Sequence, residues 1–245
     1  YKEVKMNSDF SISVDDQAIA TITWDCEKKS MNVLSFEALE TLEKLIDQVI
    51  NDDQIIAGII TSGKKDFAAG MDLNVLAQLK QSAGENPAEG VFNGVMKMHS
   101  VLRKIELAGM DPKTKKGGKP IVSVLPGTAL GIGLEIPLST HRVFSANNPK
   151  AKIGLPEILV GLFPGAGGTT RLVRKLGAMA ASTYLLEGKT VAPDKALAAG
   201  IIDQVDDDPI KAARQWVLNA SEGDLIKPWD QKGYKIPGGT PYTPN

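Results

Sequence analysis

The stretch that most constrains this chain runs from Lys119 to Arg174, KPIVSVLPGTALGIGLEIPLSTHRVFSANNPKAKIGLPEILVGLFPGAGGTTRLVR. It holds two apolar strand-like runs, two glycine clusters and two carboxylates in otherwise apolar surroundings, Glu135 and Glu157, 22 positions apart. A glutamate within a run such as GIGLEIPL costs free energy to bury unless something neutralises or uses it. Two of them, each beside a glycine-rich turn, point to an active site.

At 245 residues and 42% hydrophobic content the chain can bury a substantial core as one large domain or two small ones. A formal net charge of −1 gives no global field favouring nucleic acid or an anionic membrane. No apolar run approaches the roughly 20 residues that span a bilayer. Cys26 is the single cysteine, which excludes an internal disulfide framework and a cysteine-based metal site and fits a reducing compartment.

Residues 10–24 read as a hairpin turning at Asp15-Asp16. After Ser35, a candidate N-cap, Leu39, Leu42, Leu45, Ile46 and Val49 recur at helical spacing up to Asn51-Asp52. IIAGIIT (55–61) is a continuous apolar run expected to be a buried parallel-type strand, and residues 66–79 are expected to turn into a helix. Residues 80–90 read as a polar loop and 91–107 as an amphipathic helix. Residues 108–119 carry four lysines among breakers. They are expected to form a solvated surface loop, with a cationic lip for an anionic substrate as the alternative.

Short strands follow at 120–125, 141–146 and 151–154, then a helix over 170–176 that stops at Gly177. Residues 181–205 read as helix, turn, helix and short strand. From Pro228 the composition turns Pro- and Gly-rich without periodicity. One domain over residues 1–227 is therefore expected, followed by a linker or surface-laid tail over 228–245.

The chemistry is concentrated in turns. Gly131-Ile132-Gly133 follows a strand and opens a helix in which Pro137 should fall in the first turn. Free N–H groups there, at the positive end of a helix dipole, suit a developing negative charge. Ala69-Gly70-Met71-Asp72 offers a second set, and two donors aimed at one carbonyl oxygen would make an oxyanion hole. A dinucleotide fingerprint fails because position 136 is Ile. Two glutamates in one dry pocket cannot both ionise easily, which leaves one as base and one as acid. The alternative is that each caps a helix or pairs with an arginine such as Arg142 or Arg171. His99 and His141 have no partners at ligand spacing and read as structural. A serine hydrolase has no G-x-S-x-G elbow to stand on.

MNVLS (31–35), IIAGIITSGKKDFAAGMDL (55–73), GTALGIGLEI (127–136) and IGLPEILVGLFPGAGGTTRL (153–172) together resemble the crotonase (enoyl-CoA hydratase/isomerase) superfamily over nearly the whole chain. The resemblance implies an α/β fold, a crotonase-like spiral of repeated β-β-α turns, and a CoA thioester substrate. It places the oxyanion hole on the N–H groups of Met71 and Ile132, the two hydratase glutamates on Glu135 and Glu157, and a water-positioning N–H on Gly165. Ala69, Gly70, Asp72, Leu73, Gly131, Gly133 and Pro156 would bind the thioester.

Both glutamates being present favours hydration of a 2-trans-enoyl-CoA in fatty-acid β-oxidation. The alternatives are Δ3,Δ2-enoyl-CoA isomerisation or a non-catalytic acyl-CoA-binding module. PWDQKGYKIPGGTPY (228–242) resembles the linker that follows the hydratase region of multifunctional fatty-acid oxidation proteins of the α-subunit type. That resemblance implies a downstream dehydrogenase region using NAD and a thiolase-type partner subunit. It also implies a bacterial cytoplasm or a mitochondrial matrix. The hydratase itself would need no cofactor and no metal, CoA being part of the substrate. The chain departs from the family pattern at Ile132, where a β-branched side chain replaces the usual glycine and crowds the thioester. It departs again at Asn74, where a basic residue is common.

Overall fold

The computed structural model describes residues 9–71 and 86–240. β1 (Phe10–Val14) and β2 (Ile19–Trp24) form the expected antiparallel hairpin, with the Asp15 carboxylate accepting from the N–H groups of Gln17 and Ile19 to close the turn. β2 then pairs in parallel with β3 (Ala57–Ser62). The main sheet continues in parallel through β4 (Ile121–Leu125), β6 (Arg142–Ala146) and β9 (Gln204–Asp206), giving the order β1-β2-β3-β4-β6-β9. A second sheet of three short strands stands beside it: β5 (Ala129–Leu130), β7 (Ile153–Gly154) and β8 (Thr190–Val191), in the order β5-β7-β8. The chain alternates between them. β4 leads to β5 and helix α3 (Ile132–Ser139). β6 leads to β7, a 3-10 helix (Pro156–Val160), α4 (Gly168–Leu176) and α5 (Ala178–Leu186). β3 likewise leads to Ala68, which bridges in parallel to Ala129. This is the β-β-α spiral the motifs imply.

The main sheet is covered on both faces, which accounts for the unbroken apolar runs of β3 and β4. Ile60, Ile121 and Leu125 face the main core with α1 (Phe36–Asn51) and α2 (Pro87–Leu107). Ile59, Val122, Val124 and Phe144 face Ala213 and Val217 of α7 (Pro209–Asn219). α6 (Pro193–Ala198) packs near β9. α1 is capped as expected, the Ser35 hydroxyl accepting from Ala38 N–H at 3.1 Å, and it buries Leu39, Leu42, Leu45, Ile46 and Val49.

The structure differs from the sequence expectations in several places. The loop expected over 80–90 ends earlier: Asn86 caps α2 by accepting from Glu89 N–H, and Pro87 takes the first helical position, where its missing N–H costs nothing. Within 66–79, the segment expected to turn into a helix, residues 66–71 are extended, with Ala68 and Met71 making strand bridges, and the expected helix falls on 72–79, outside the described residues. Pro137 sits in the second turn of α3, not the first. There it forgoes the N–H bond that an α-helix would make to the Gly133 carbonyl. Helix α7 escaped the sequence reading, although Asp208-Pro209 marks its start: the Asp208 carboxylate accepts from Lys211 N–H.

In the 108–119 loop, Asp111 accepts from the N–H groups of Lys113 and Thr114. Lys119 Nζ donates to the carbonyls of Val49 and Asp52 at the end of α1, at 2.9 and 2.7 Å. The surface-loop reading fits this arrangement. Lys227 is buried, its Nζ donating to the Thr140 carbonyl at 2.6 Å, and residues 228–240 follow beside α2 and α4. Trp229 Nε1 donates to Glu106, Arg103 forks onto Asp230, and the Tyr234 hydroxyl donates to the Arg174 carbonyl.

Asn32, in the MNVLS motif, ties this architecture together. Fully buried, its Oδ1 accepts from Cys26 N–H, and its Nδ2 lies within 2.9 Å of the Trp24 and Phe67 carbonyls and of the Ser62 hydroxyl oxygen. Its own carbonyl accepts from Ala69 N–H, which leads into the Gly70-Met71 turn. Replacing Asn32 by Ala is expected to destabilise the protein by roughly 2–4 kcal/mol, because several buried polar groups lose their partner together. Urea unfolding checks this, and a change below about 0.5 kcal/mol would contradict the role.

Candidate active site

The two sheets and α2 enclose a cavity of about 860 Å³. The turn after β3 brings Ala69, Gly70 and Met71 to it. The turn after β5 brings Gly131, Ile132 and Glu135, and the segment after β7 brings Pro156, Glu157 and Gly165. Nine of the residues singled out from sequence therefore meet at one place. Gly133 does not line the cavity. A Cβ there would sit 2.8 Å from Ala68 Cβ and 2.9 Å from its carbonyl oxygen, so this glycine lets α3 press against the strand that carries Gly70. Asp72, Leu73 and Asn74 lie outside the described residues.

Backbone geometry makes donors available. Ile132 opens α3, where the first N–H groups have no carbonyl behind them to bond. Met71 bridges Leu34, and its own N–H meets no acceptor among the described residues. The Ile132 side chain is almost wholly buried in the main core while forming part of the cavity wall.

Glu135 is held by backbone rather than by a cation. Glu135 Oε1 accepts from the N–H groups of Ala166 and Gly168 at 2.9 and 2.8 Å, at the N-terminal end of α4. The helix-capping alternative thus holds for one oxygen of Glu135, and the arginine alternative holds for neither glutamate. Arg171 is taken by Glu106, Nε to Oε1 at 3.0 Å, and Arg142 lies over the rings of Phe144 and Trp216. Glycine is required where the carboxylates approach. A Cβ on Gly168 would come within 2.9 Å of Glu135 Oε1. One on Gly131, whose φ is +58°, would come within 3.1 Å of Glu157 Oε1. Glu157 Oε2 is buried and meets no donor among the described residues.

Burial pushes the Glu135 carboxyl up to about 7. The Gly168 N–H opposes that rise and the nearby Glu157 charge adds to it. Burial also raises Glu157. The remaining wall is apolar. Val91, Val95 and Met98 form one face of α2, opposite Leu159 and Phe163. Their spacing was readable from the amphipathic pattern, but which face met the site was not.

No group of His, Cys, Asp or Glu among the described residues is arranged to hold a metal. His141 Nδ1 accepts from Ile121 N–H, and burial holds its pKa down at about 4, so it is a neutral structural group. No helix among the described residues is long and apolar enough to cross a membrane.

The raised pKa of Glu135 has a consequence for stability. Between the carboxyl's unfolded value near 4.3 and its folded value near 7, the unfolded chain releases this proton and the folded chain keeps it. Stability is therefore lost as pH rises through that window, on the order of 3 kcal/mol in all. Glu135→Gln removes the titration. Thermal melts are expected to show the variant gaining on the wild type by several degrees between pH 4.5 and pH 8, and a pH-independent difference would contradict the burial effect.

Comparison with known proteins agrees with this geometry. The sequence model of the family described as enoyl-CoA hydratase/isomerase matches residues 15–222. The fatty acid oxidation complex subunit alpha of Shewanella oneidensis is 31% identical over 201 residues, 82% of this chain and 26% of that protein. That of Idiomarina loihiensis is 32% identical over 197 residues, 80% of this chain and 26% of that protein. The chain thus spans about a quarter of the length of the curated relatives it matches. Among solved structures, an enoyl-CoA hydratase from Geobacillus kaustophilus superposes with a TM-score of 0.75 at 26% identity, covering 89% of this chain and 76% of that one. The enoyl-CoA hydratase of Thermoplasma volcanium gives 0.72 at 26% identity, covering 89% and 80%. This chain belongs to the enoyl-CoA hydratase/isomerase (crotonase) family and has the crotonase fold.

Proposed function

We propose that this domain adds water across the double bond of a 2-trans-enoyl-CoA to give a 3-hydroxyacyl-CoA. The observation that carries the reading is a buried glutamate and a half-buried one, Glu135 and Glu157, both with raised pKa, in one apolar cavity with two strand-to-turn backbone donors.

The thioester oxygen lies against the N–H groups of Met71 and Ile132, which stabilise the charge that develops as the enolate forms. Only one glutamate is readily ionised. Burial raises Glu135 to about 7, so the roles are assigned from its contacts: two N–H donors on Oε1 hold its charged form, whereas Glu157 Oε2 meets no donor among the described residues and Glu157 carries the proton to be given. Glu135 then takes a proton from water as its oxygen bonds to Cβ. The π electrons move toward the thioester, and Glu157 gives its proton to Cα. The Gly165 N–H, at the cavity wall, helps place the water, and the apolar face of α2 receives the acyl chain. CoA enters as part of the substrate, and the domain needs no cofactor.

The buried Oε2 of Glu157, which meets no donor among the described residues, also suits a one-residue proton shuttle, so Δ3,Δ2-enoyl-CoA isomerisation is a second activity of the same cavity. We further propose that the domain is the hydratase part of a longer protein with a NAD-dependent dehydrogenase region and a thiolase-type partner. The support is the likeness to fatty acid oxidation complex alpha subunits over about a quarter of their length.

Loss of conjugated-thioester absorbance from a short 2-trans-enoyl-CoA tests the reading. Glu135→Gln and Glu157→Gln are each expected to lower the hydration kcat by about 10²–10⁴-fold, the usual contribution of a general acid or base. Glu135→Gln should spare isomerisation of a 3-enoyl-CoA far more than hydration. Near wild-type hydration by Glu157→Gln would overturn the mechanism. Thioester binding without turnover in the wild type would instead favour a binding module.

A further inference from the structure

We infer that Arg171 is a positioning residue for Glu135, and that Glu106, with Trp229 and Asp230 of the C-terminal segment, holds Arg171 to that task. The kinetic consequences rest on the hydratase reading, while the structural coupling does not.

Behind the cavity lies an ionic network with a buried centre, Glu106 and Arg171, whose side chains do not line the cavity. Glu106 on α2 and Arg171 on α4 are 2% and 6% exposed. Glu106 Oε1 accepts from Arg171 Nε at 3.0 Å and from Trp229 Nε1 at 3.2 Å. Its Oε2 accepts from Arg171 Nη2 at 3.3 Å and from Arg103 Nη1 at 2.7 Å. Arg103 also forks onto Asp230, at 2.7 and 2.8 Å. Desolvating so many charges is not repaid merely by pairing them, so the pair alone is a poor source of stability. One donor is directed elsewhere. Arg171 Nη1 reaches the carbonyl of Ala166 at 3.2 Å, and the N–H of that same residue donates to Glu135.

The turn 166–168 is thus gripped from both sides, by the guanidinium on its carbonyl and by the Glu135 carboxylate on its N–H groups. Gly167 makes the grip possible: its φ is +106°, and a Cβ there would collide with Arg171 Nη1. A plain tie between α2 and α4 would need no such contact. Trp229 and Asp230 lie beyond residue 222, where the family match ends, so the C-terminal segment reaches the site through Glu106. The titratable and charged groups around Glu135 are Glu157 from the 3-10 helix and Arg171 from α4. From α2, His99 lies beside Gly167 and Glu106 lies behind Arg171.

The test is a carboxyl-carbon NMR titration of glutamate-labelled protein, with Glu135 assigned by its loss in Glu135→Gln. It is applied to wild type, Arg171→Gln, Arg171→Lys and Trp229→Phe, together with hydration kinetics against pH. In Arg171→Gln the Glu135 midpoint is expected to move up, because a nearby positive charge is lost and the turn loosens. Arg171→Lys keeps the charge but not the fork and should move it less. The kcat should fall about three- to tenfold, the worth of one hydrogen bond, with KM unchanged and the ascending pH limb following the titration. A folded Arg171→Gln with wild-type midpoint and kcat overturns the inference. If that variant does not fold, Arg171→Lys and Trp229→Phe decide: an upward shift in both supports it, and no shift in either overturns it. Absence of hydration by the wild type would overturn the hydratase reading while leaving the midpoint shift to judge the coupling.

Discussion

A carboxylate held on backbone N–H groups, with no cation in contact, is the interaction around which this domain is arranged. Glu135 meets Ala166 and Gly168 at under 3 Å in a dry interior, where an unpaired charge would cost several kcal/mol. That single contact fixes α3 against the start of α4. It demands glycine at 168 and keeps one carboxyl oxygen committed while the other stays available. A cation in the same place would ionise the group and quiet it. Burial, with the neighbouring Glu157 adding to it and the backbone donors opposing it, leaves the carboxyl at about 7.

The spiral makes the convergence possible. Each turn crosses from the long sheet to the short one before its helix begins, so the turns after β3, β5 and β7 reach one wall at successive levels. Two of them deliver free N–H groups, and the last two deliver the glutamates. The tight spots between levels are glycines: Gly133 against Ala68, and Gly131 against Glu157. The carboxyls differ: Glu135 Oε1 is gripped by two N–H groups, while Glu157 Oε2 meets no donor among the described residues, and the proposed roles of base and acid rest on that difference.

Much of this was legible in the chain. A glutamate within GIGLEIPL announces its own cost, and the glycines beside it mark close backbone approach. The β-β-α order could be read from apolar runs because both faces of the main sheet are covered. What escaped the reading depends on distance in space rather than on pattern. Glu106 and Arg171 are 65 positions apart and each looks like a surface charge on an amphipathic helix; only packing shows that they are buried together. Asn86-Pro87 and Asp208-Pro209 did carry helix-start chemistry, masked in the first case by a polar, breaker-rich context. Pro137 was expected in a first turn because a proline in a second turn is costly in a long helix. In α3 that cost is one bond to the Gly133 carbonyl, carried by a helix buried along its whole length.

The account turns on whether the N–H groups of Met71 and Ile132 converge on one thioester oxygen beside the glutamate pair. Raman difference spectroscopy of a 2-trans-enoyl-CoA, carbon-13 labelled at the thioester carbonyl and bound to Glu157→Gln, reads that convergence directly. The account expects the carbonyl stretch to fall well below its value in water, as two aligned donors draw charge onto the oxygen. A stretch unchanged from free enoyl-CoA in water, with the ligand bound, would contradict it.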